Sequence, residues 1–373
     1  MCEQTLVSAC LYFLIKHRFC QSGPAGRKRC RAVPFLYQPA YGRHQETGMA
    51  DLKLSEARLT EILRRQNPPA FGTDYEPSIK ACREEAPAGS RYAQVWSELL
   101  GREVHTLSTP ERAFLSVLLY CECGLFELQE QRMLPFAPAP HPLDGHPRAI
   151  GLPLKRFRGT LMVANELHHL SFHPFVTLNQ NGVSSDTPGC WVGDYLGFFV
   201  DAQGAFCLNF NIKETRAEFT VPSYGVTVKT KLPRATARNT ARHEVEKQVY
   251  ADIDIRTIEV ATEEIPAILV ANLLELLRWQ KHRHALTSEQ VQAVLDAFNE
   301  GLEVGASPLE VIAAVELDQR VSMYDQRIVL MQGVFHRKVR LDLFDSHIFI
   351  DKPMAPEWQD AREVFGHWFR RDA

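Results

Sequence analysis

Apolar and polar positions alternate with two different periods along this chain, and each change of period marks an element. Leu54, Leu59, Ile62 and Leu63 recur at helical spacing and predict a short amphipathic helix over residues 52–66. A Pro- and Gly-rich link, NPPAFGTDYEP, follows. From Ser108 the run STPERAFLSVLLYCE predicts a strong helix, with Ser108 as cap, Pro110 in the first turn and Glu111 completing a capping-box pattern. LFELQEQRMLPF then predicts a strand, and residues 137–160 a long Pro- and His-rich loop. TLMVANELHHLSFHPFVTL fits helix or strand equally. Residues 193–215, GDYLGFFVDAQGAFCLNFNIKET, predict two apolar strands joined by a turn at Asp201-Ala202-Gln203-Gly204. A helix from about Arg238 to Tyr250, a strand in DIRTIEVATEEIP and a helix from about Pro266 to His282 come next.

This order predicts an α/β fold. A helix between two strands implies a crossover, so residues 108–265 are expected to form a mixed sheet flanked by helices. Residues 49–107 are expected to be an N-terminal helical segment. TSEQVQAVLDAFNEGL, SPLEVIAAVEL and SMYDQRIVLMQGVF predict three more helices, and RKVRLDLFDSHIFIDKPM alternates like a two-stranded ribbon turning at Asp345-Ser346. Helices followed by a small hairpin predict a winged-helix-like domain over 266–355, with 356–373 as a tail. Residues 1–48 read as a flexible extension or as text ahead of a natural start at Met49. LVSACLYFLI has the texture of a signal-peptide core, yet Glu3 precedes it and no clear cleavage site follows.

Composition changes this picture little. The 373 residues are 45% hydrophobic and 23% charged, with a net charge of -3, as in ordinary globular proteins. Nine cysteines without framework spacing argue for reduced thiols in a cytoplasmic protein rather than a disulfide scaffold. No apolar run approaches the length of a membrane span. His168, His169 and His173 lack the spacing of a zinc site, and no glycine-rich phosphate loop or nucleophile elbow is present. Local charge is more informative. Six basic residues stand against two acidic ones between Lys229 and Lys247, so Lys229, Lys231, Arg234, Arg238 and Arg242 are candidates for contacts to nucleic-acid phosphates. A solvated loop and helix face explains the same run equally well.

The predicted hairpin carries the candidate chemistry. Residues two apart on a strand share a face, so Asn211 and Lys213 point the same way, and Asp194 can sit opposite them. A carboxylate, a second oxygen donor and a cation are what metal-assisted hydrolysis of a phosphodiester requires, with magnesium or manganese as the hard ion. Glu111 could reach the same ion from its helix, although its capping role competes for the same carboxylate.

In their order, a helix bearing Glu111, a strand ending in Glu130-Gln131, then Asp194 in GDYLGFFV and Lys213 closing NFNIK resemble the TnsA-type endonuclease subunit of heteromeric transposases. NTARHEVEKQVY, ATEEIP, ANLLELL and RKVRLDLFDSHIFIDKPM continue the resemblance, which covers about residues 105–355. It implies a PD-(D/E)xK, restriction-endonuclease-like fold, with Glu111, Asp194 and Asn211 as magnesium ligands and Lys213 positioning the attacking water. Asn211 stands where that fold has an acid or, in some TnsA-like proteins, glutamine, and Gly193 stands where it usually has proline. Glu166 rivals Glu111 as first ligand, but the Glu130-Gln131 pair favours Glu111. The activity implied is cleavage of the non-transferred strand at transposon ends in a bacterial cytoplasm. The partners implied are transposon-end DNA, an RNase H-fold, TnsB-like transposase and a TnsC-like AAA+ ATPase regulator. A stand-alone restriction or repair nuclease, and a catalytically decayed transposition scaffold, remain as alternatives.

Overall fold

The computed structural model describes residues 54–121, 123–180, 183–219, 233–319 and 321–371; the expectations for residues 1–53 lie outside them. Helix α1 (Glu56–Gln66) starts where the Ser55 hydroxyl accepts the Arg58 amide, and it buries Leu59 and Ile62. Two short strands then pair antiparallel, β1 (Ala93–Ser97) and β2 (Arg102–Thr106). The N-terminal segment expected to be helical also contains a hairpin. Its strands mix charged and apolar residues, because Arg102 is drawn inward to a buried carboxylate, which hides the period-two signal.

Helix α2 (Thr109–Cys121), strand β3 (Leu125–Glu130), the short helix α3 (Thr160–Glu166) and the hairpin of β4 (Phe175–Gln180) and β5 (Val183–Pro188) follow. The expected apolar hairpin comes next, as β6 (Tyr195–Asp201) and β7 (Gly204–Lys213), with Asp194 one residue ahead of β6. Helix α4 (Pro233–Ala251) then crosses to β8 (Arg256–Ala261). The main sheet has the order β3-β6-β7-β8; β7 and β8 are parallel and the other pairs antiparallel. It is a mixed sheet, and helices flank it on both faces.

Alternation along the strands sends side chains to two cores. Tyr195, Phe199, Phe206, Leu208, Phe210 and Ile212 pack with α2 on one face. Leu196, Phe198, Ala205 and Cys207 pack with α3 and α4 on the other. The first core continues without a break into α5 (Ala267–Trp279), α6 (Ser288–Glu303), α7 (Pro308–Gln319), α8 (Met323–Phe335) and α9 (Ala361–Phe365).

The ribbon expected over 337–354 is absent among the described residues. Among the described residues that segment holds only an isolated bridge, Leu341 to Pro356. Its backbone groups are satisfied elsewhere. The Asp342 carboxylate accepts the amides of Phe344 (3.0 Å) and Asp345 (3.2 Å). Asn272 of α5 donates to the Leu343 and Ser346 carbonyls and accepts from Ile348. With those donors and acceptors occupied, no ladder of a winged-helix type forms. No helix among the described residues is long and apolar enough to cross a membrane.

Candidate active site

Four expected site residues come from three elements that meet at one end of the sheet. Glu111 lies in the first turn of α2, whose ring Phe114 packs on Tyr195 and Phe210 at centroid distances of 5.8 and 4.9 Å. Asp194 lies at the entry to β6. Its carboxylate accepts the Ile212 amide at 2.7 Å, which fixes it against the end of β7. Asn211 and Lys213 occupy that end, with Asn211 buried and Lys213 half-buried.

Glu111 does serve as a cap, and the cap holds it in place. One carboxylate oxygen accepts the Leu107 amide (2.8 Å) and the Gln131 side-chain amide (2.9 Å); the other accepts the Ser108 hydroxyl (2.9 Å). Each carboxylate oxygen has two lone pairs, so the second oxygen keeps one for a further partner. Burial, and after it the negative charge of Asp194, push the Glu111 carboxyl up from its usual range; the Leu107 and Ser108 bonds and the charge of Lys213 oppose this. Asp194 and Lys213 thus lie in the electrostatic neighbourhood of Glu111.

Gln131 ties the two carboxylates together. Its side chain holds Glu111 while its backbone amide donates to the Asp194 carbonyl at 2.9 Å. It does so at a φ of 49°, a left-handed conformation that a non-glycine residue adopts only when its surroundings impose it. The preceding Glu130 is fully engaged elsewhere: Arg102 meets both its oxygens at 2.8 Å, and the His105 amide reaches it at 3.1 Å. Glu130 is a brace for this corner of the sheet, not a ligand. Glu166 is on α3, ion-paired to Arg158 at 2.6 Å, and does not join the group.

Two residues of the site were not anticipated. β7 carries Asn209 and Asn211 on its α4 face, and there His243 and Glu246 of α4 meet them. The Asn211 amide nitrogen lies 3.4 Å from His243 Nδ1, and the Asn209 amide donates to Glu246 Oε1 at 3.3 Å. Glu246 is 0% exposed. Its burial, and to a lesser extent Asp194, raise it to about 7, against the pull of Arg242, Asn209 and Lys213. His243 is pushed down to about 3, first by burial and then by the charges of Arg242 and Lys213, so its ring is neutral. The sequence signal was there: a polar pair three residues apart on a helix face otherwise lined by Ala241, Val245 and Val249.

Buried acceptors are normally satisfied. Here Asn209 Oδ1, Asn211 Oδ1 and Glu246 Oε2 are all buried without a hydrogen-bond partner among the described residues. Among the described residues no three His, Cys, Asp or Glu side chains gather as a closed metal-holding group. Two carboxylates and an unpartnered amide oxygen form a different kind of set. It fits a hard divalent cation such as magnesium, which takes few protein oxygens and keeps positions for water and phosphate.

The described part of the basic run reaches the same end through Arg242. Because β7 and β8 are parallel, α4 runs back along β7, and its middle meets the site: His243 lies against Asn211 and Glu246 against Asn209. Arg242 donates to the Val192 carbonyl at 2.6 Å, two residues from Asp194. Arg238 is exposed one turn earlier, and Arg234 falls in the first turn of α4. Lys229 and Lys231 lie outside the described residues. His168, His169 and His173 do not form a cluster: His169 pairs with Glu244 and His173 with Thr160. Neither the family models nor the curated proteins compared with this chain match it.

Proposed function

We propose that this chain is a magnesium- or manganese-dependent DNA endonuclease subunit of the TnsA type, with a restriction-endonuclease-like catalytic core. The reading rests on one observation above all. Glu111, Asp194, Asn211 and Lys213, far apart in sequence, converge at the end of a mixed sheet where buried oxygen acceptors lack partners. In this role Glu111, Asp194 and the Asn211 carbonyl oxygen would hold the divalent cation. When bound there, such a cation supplies Lewis-acid stabilisation of the charge that builds on the phosphate.

The other groups act on water and on the substrate backbone. Lys213 has no hydrogen-bond or ion-pair partner among the described residues, so its ammonium is available to orient the attacking water and favour its loss of a proton. Attack in line with the departing 3′ oxygen leaves a 5′ phosphate and a 3′ hydroxyl. Arg238 and Arg242, on the turns of α4 that precede His243, offer a basic surface for phosphates beside that centre. The partners that complete the reaction are an RNase H-fold transposase and an AAA+ ATPase regulator.

The test is strand cleavage on transposon-end DNA, with and without those partners, in magnesium or manganese. The expected product is a nick in the non-transferred strand, and Lys213→Ala should lower its rate by about 100-fold or more. Efficient, sequence-selective cutting by the chain alone would favour a stand-alone nuclease instead. Unchanged cleavage by the Lys213→Ala protein in the complete reaction would identify a scaffold without catalytic function.

A further inference from the structure

An amide in the place of an acid poses a problem of orientation. A carboxylate presents an oxygen whichever way it turns, but an amide turned the wrong way presents an NH2 group that repels a cation. At Asn211 something must therefore hold the nitrogen aside. We infer that His243 is a positioning residue for the cation site, accepting the Asn211 amide N–H at Nδ1 so that Oδ1 alone faces the ion. This rests on the metal-site reading above.

Three observations carry it. Among the described residues the Asn211 nitrogen has one partner, His243 Nδ1 at 3.4 Å, and the Asn211 oxygen is buried with none. Both residues are held firmly, Asn211 at 1% and His243 at 7% exposure, so neither is free to trade places with water. With Nδ1 accepting from the amide, the ring proton sits on Nε2, which is buried and has no competing partner among the described residues. Phe219 packs edge-on against that ring at 6.1 Å and helps fix its plane. The arrangement is the outer-layer support that usually aims a metal ligand, here applied to an amide.

The test measures calcium binding by titration calorimetry on the full-length protein stripped with EDTA, without DNA, alongside near-UV circular dichroism of each variant. His243→Leu removes the acceptor and should weaken calcium binding by about tenfold or more. His243→Asn keeps an acceptor close to the Nδ1 position and should bind within about threefold of the parent, whereas His243→Gln, whose acceptor falls near Nε2, should not. In an Asn211→Asp background, where no amide needs turning, His243→Leu should cost less than about threefold. Parent-like binding by His243→Leu, or an equal loss in both backgrounds, overturns the inference. If His243→Leu fails to fold, the Asn and Gln variants decide it between them. Calcium binding untouched by both Asp194→Ala and Asn211→Ala would instead overturn the metal-site reading itself.

Discussion

Replacing Glu246 by glutamine should stabilise the protein, and by much more at pH 8 than at pH 5. Glu246 is wholly buried, and its carboxyl titrates near 7 in the folded chain against 4.5 as a free side chain. The folded state therefore holds a proton that the unfolded state releases between those values. Stability from this group is complete below about pH 4.5 and is lost as pH rises through 7. Each pH unit of difference is worth about 1.4 kcal/mol, so at pH 8 the wild type forfeits about 3 kcal/mol, and at pH 5 less than about 1 kcal/mol. Glutamine is the neutral isostere and forfeits nothing. Its amide oxygen can still accept from Asn209, so any constant cost of the substitution is the same at both pH values. The assay is thermal unfolding in EDTA at pH 5, 6.5 and 8. The gap between variant and parent should widen by about 2.5 kcal/mol across that range, or roughly 5 °C in Tm. A gap that stays constant, or narrows as pH rises, would refute the assignment of a raised, buried carboxyl.

Arg102→Ala should cost about 3–5 kcal/mol in denaturant unfolding, because it leaves Glu130 buried and charged with no guanidinium beside it. A loss below about 1 kcal/mol would mean that this corner of the sheet is braced otherwise. Gln131→Gly keeps the positive φ yet removes the amide from Glu111, so cleavage should fall about tenfold while the unfolding midpoint moves little. Cleavage at the parental rate would show that Glu111 needs no such support.

How much of this could be read from the sequence follows from how each residue satisfies its polar groups. The hairpin of β6 and β7 and its turn at Asp201–Gly204 were legible because their side chains alternate between two apolar cores. The start of α2 was legible from Ser108 and Glu111, whose capping bonds form. The hairpin of β1 and β2 was hidden because Arg102 points inward to Glu130, a long-range pair that no local pattern announces. The wing was over-read for the same kind of reason: RKVRLDLFDSHIFI has a strand's alternation, but Asn272, some 70 residues earlier, takes its backbone groups. Glu166 was a plausible ligand until Arg158, eight residues before it, claimed its carboxylate. Glu246 and His243 were missed because a helix-face pair has meaning only once β7 is laid against it.

The two positions at which the chain departs from the pattern it resembles have one physical explanation in common. A side-chain carbon at Gly193 would stand 3.0 Å from Glu246 Oε1, tighter than an ordinary contact, so a bulkier residue there would press on that carboxyl. An acid at 211 would add a further negative charge to the same α4 face of β7, two residues from Asn209, which bonds that carboxyl. Burial, and after it the charge of Asp194, raises both Glu111 and Glu246, so further negative charge in this corner is costly. A fourth carboxylate would hold a proton rather than add charge, whereas an amide supplies an oxygen without repelling the three acids present. Asn211 is thus consistent with a working site whose charge is set by Glu111, Asp194 and Glu246. Loss of function is not required to explain it.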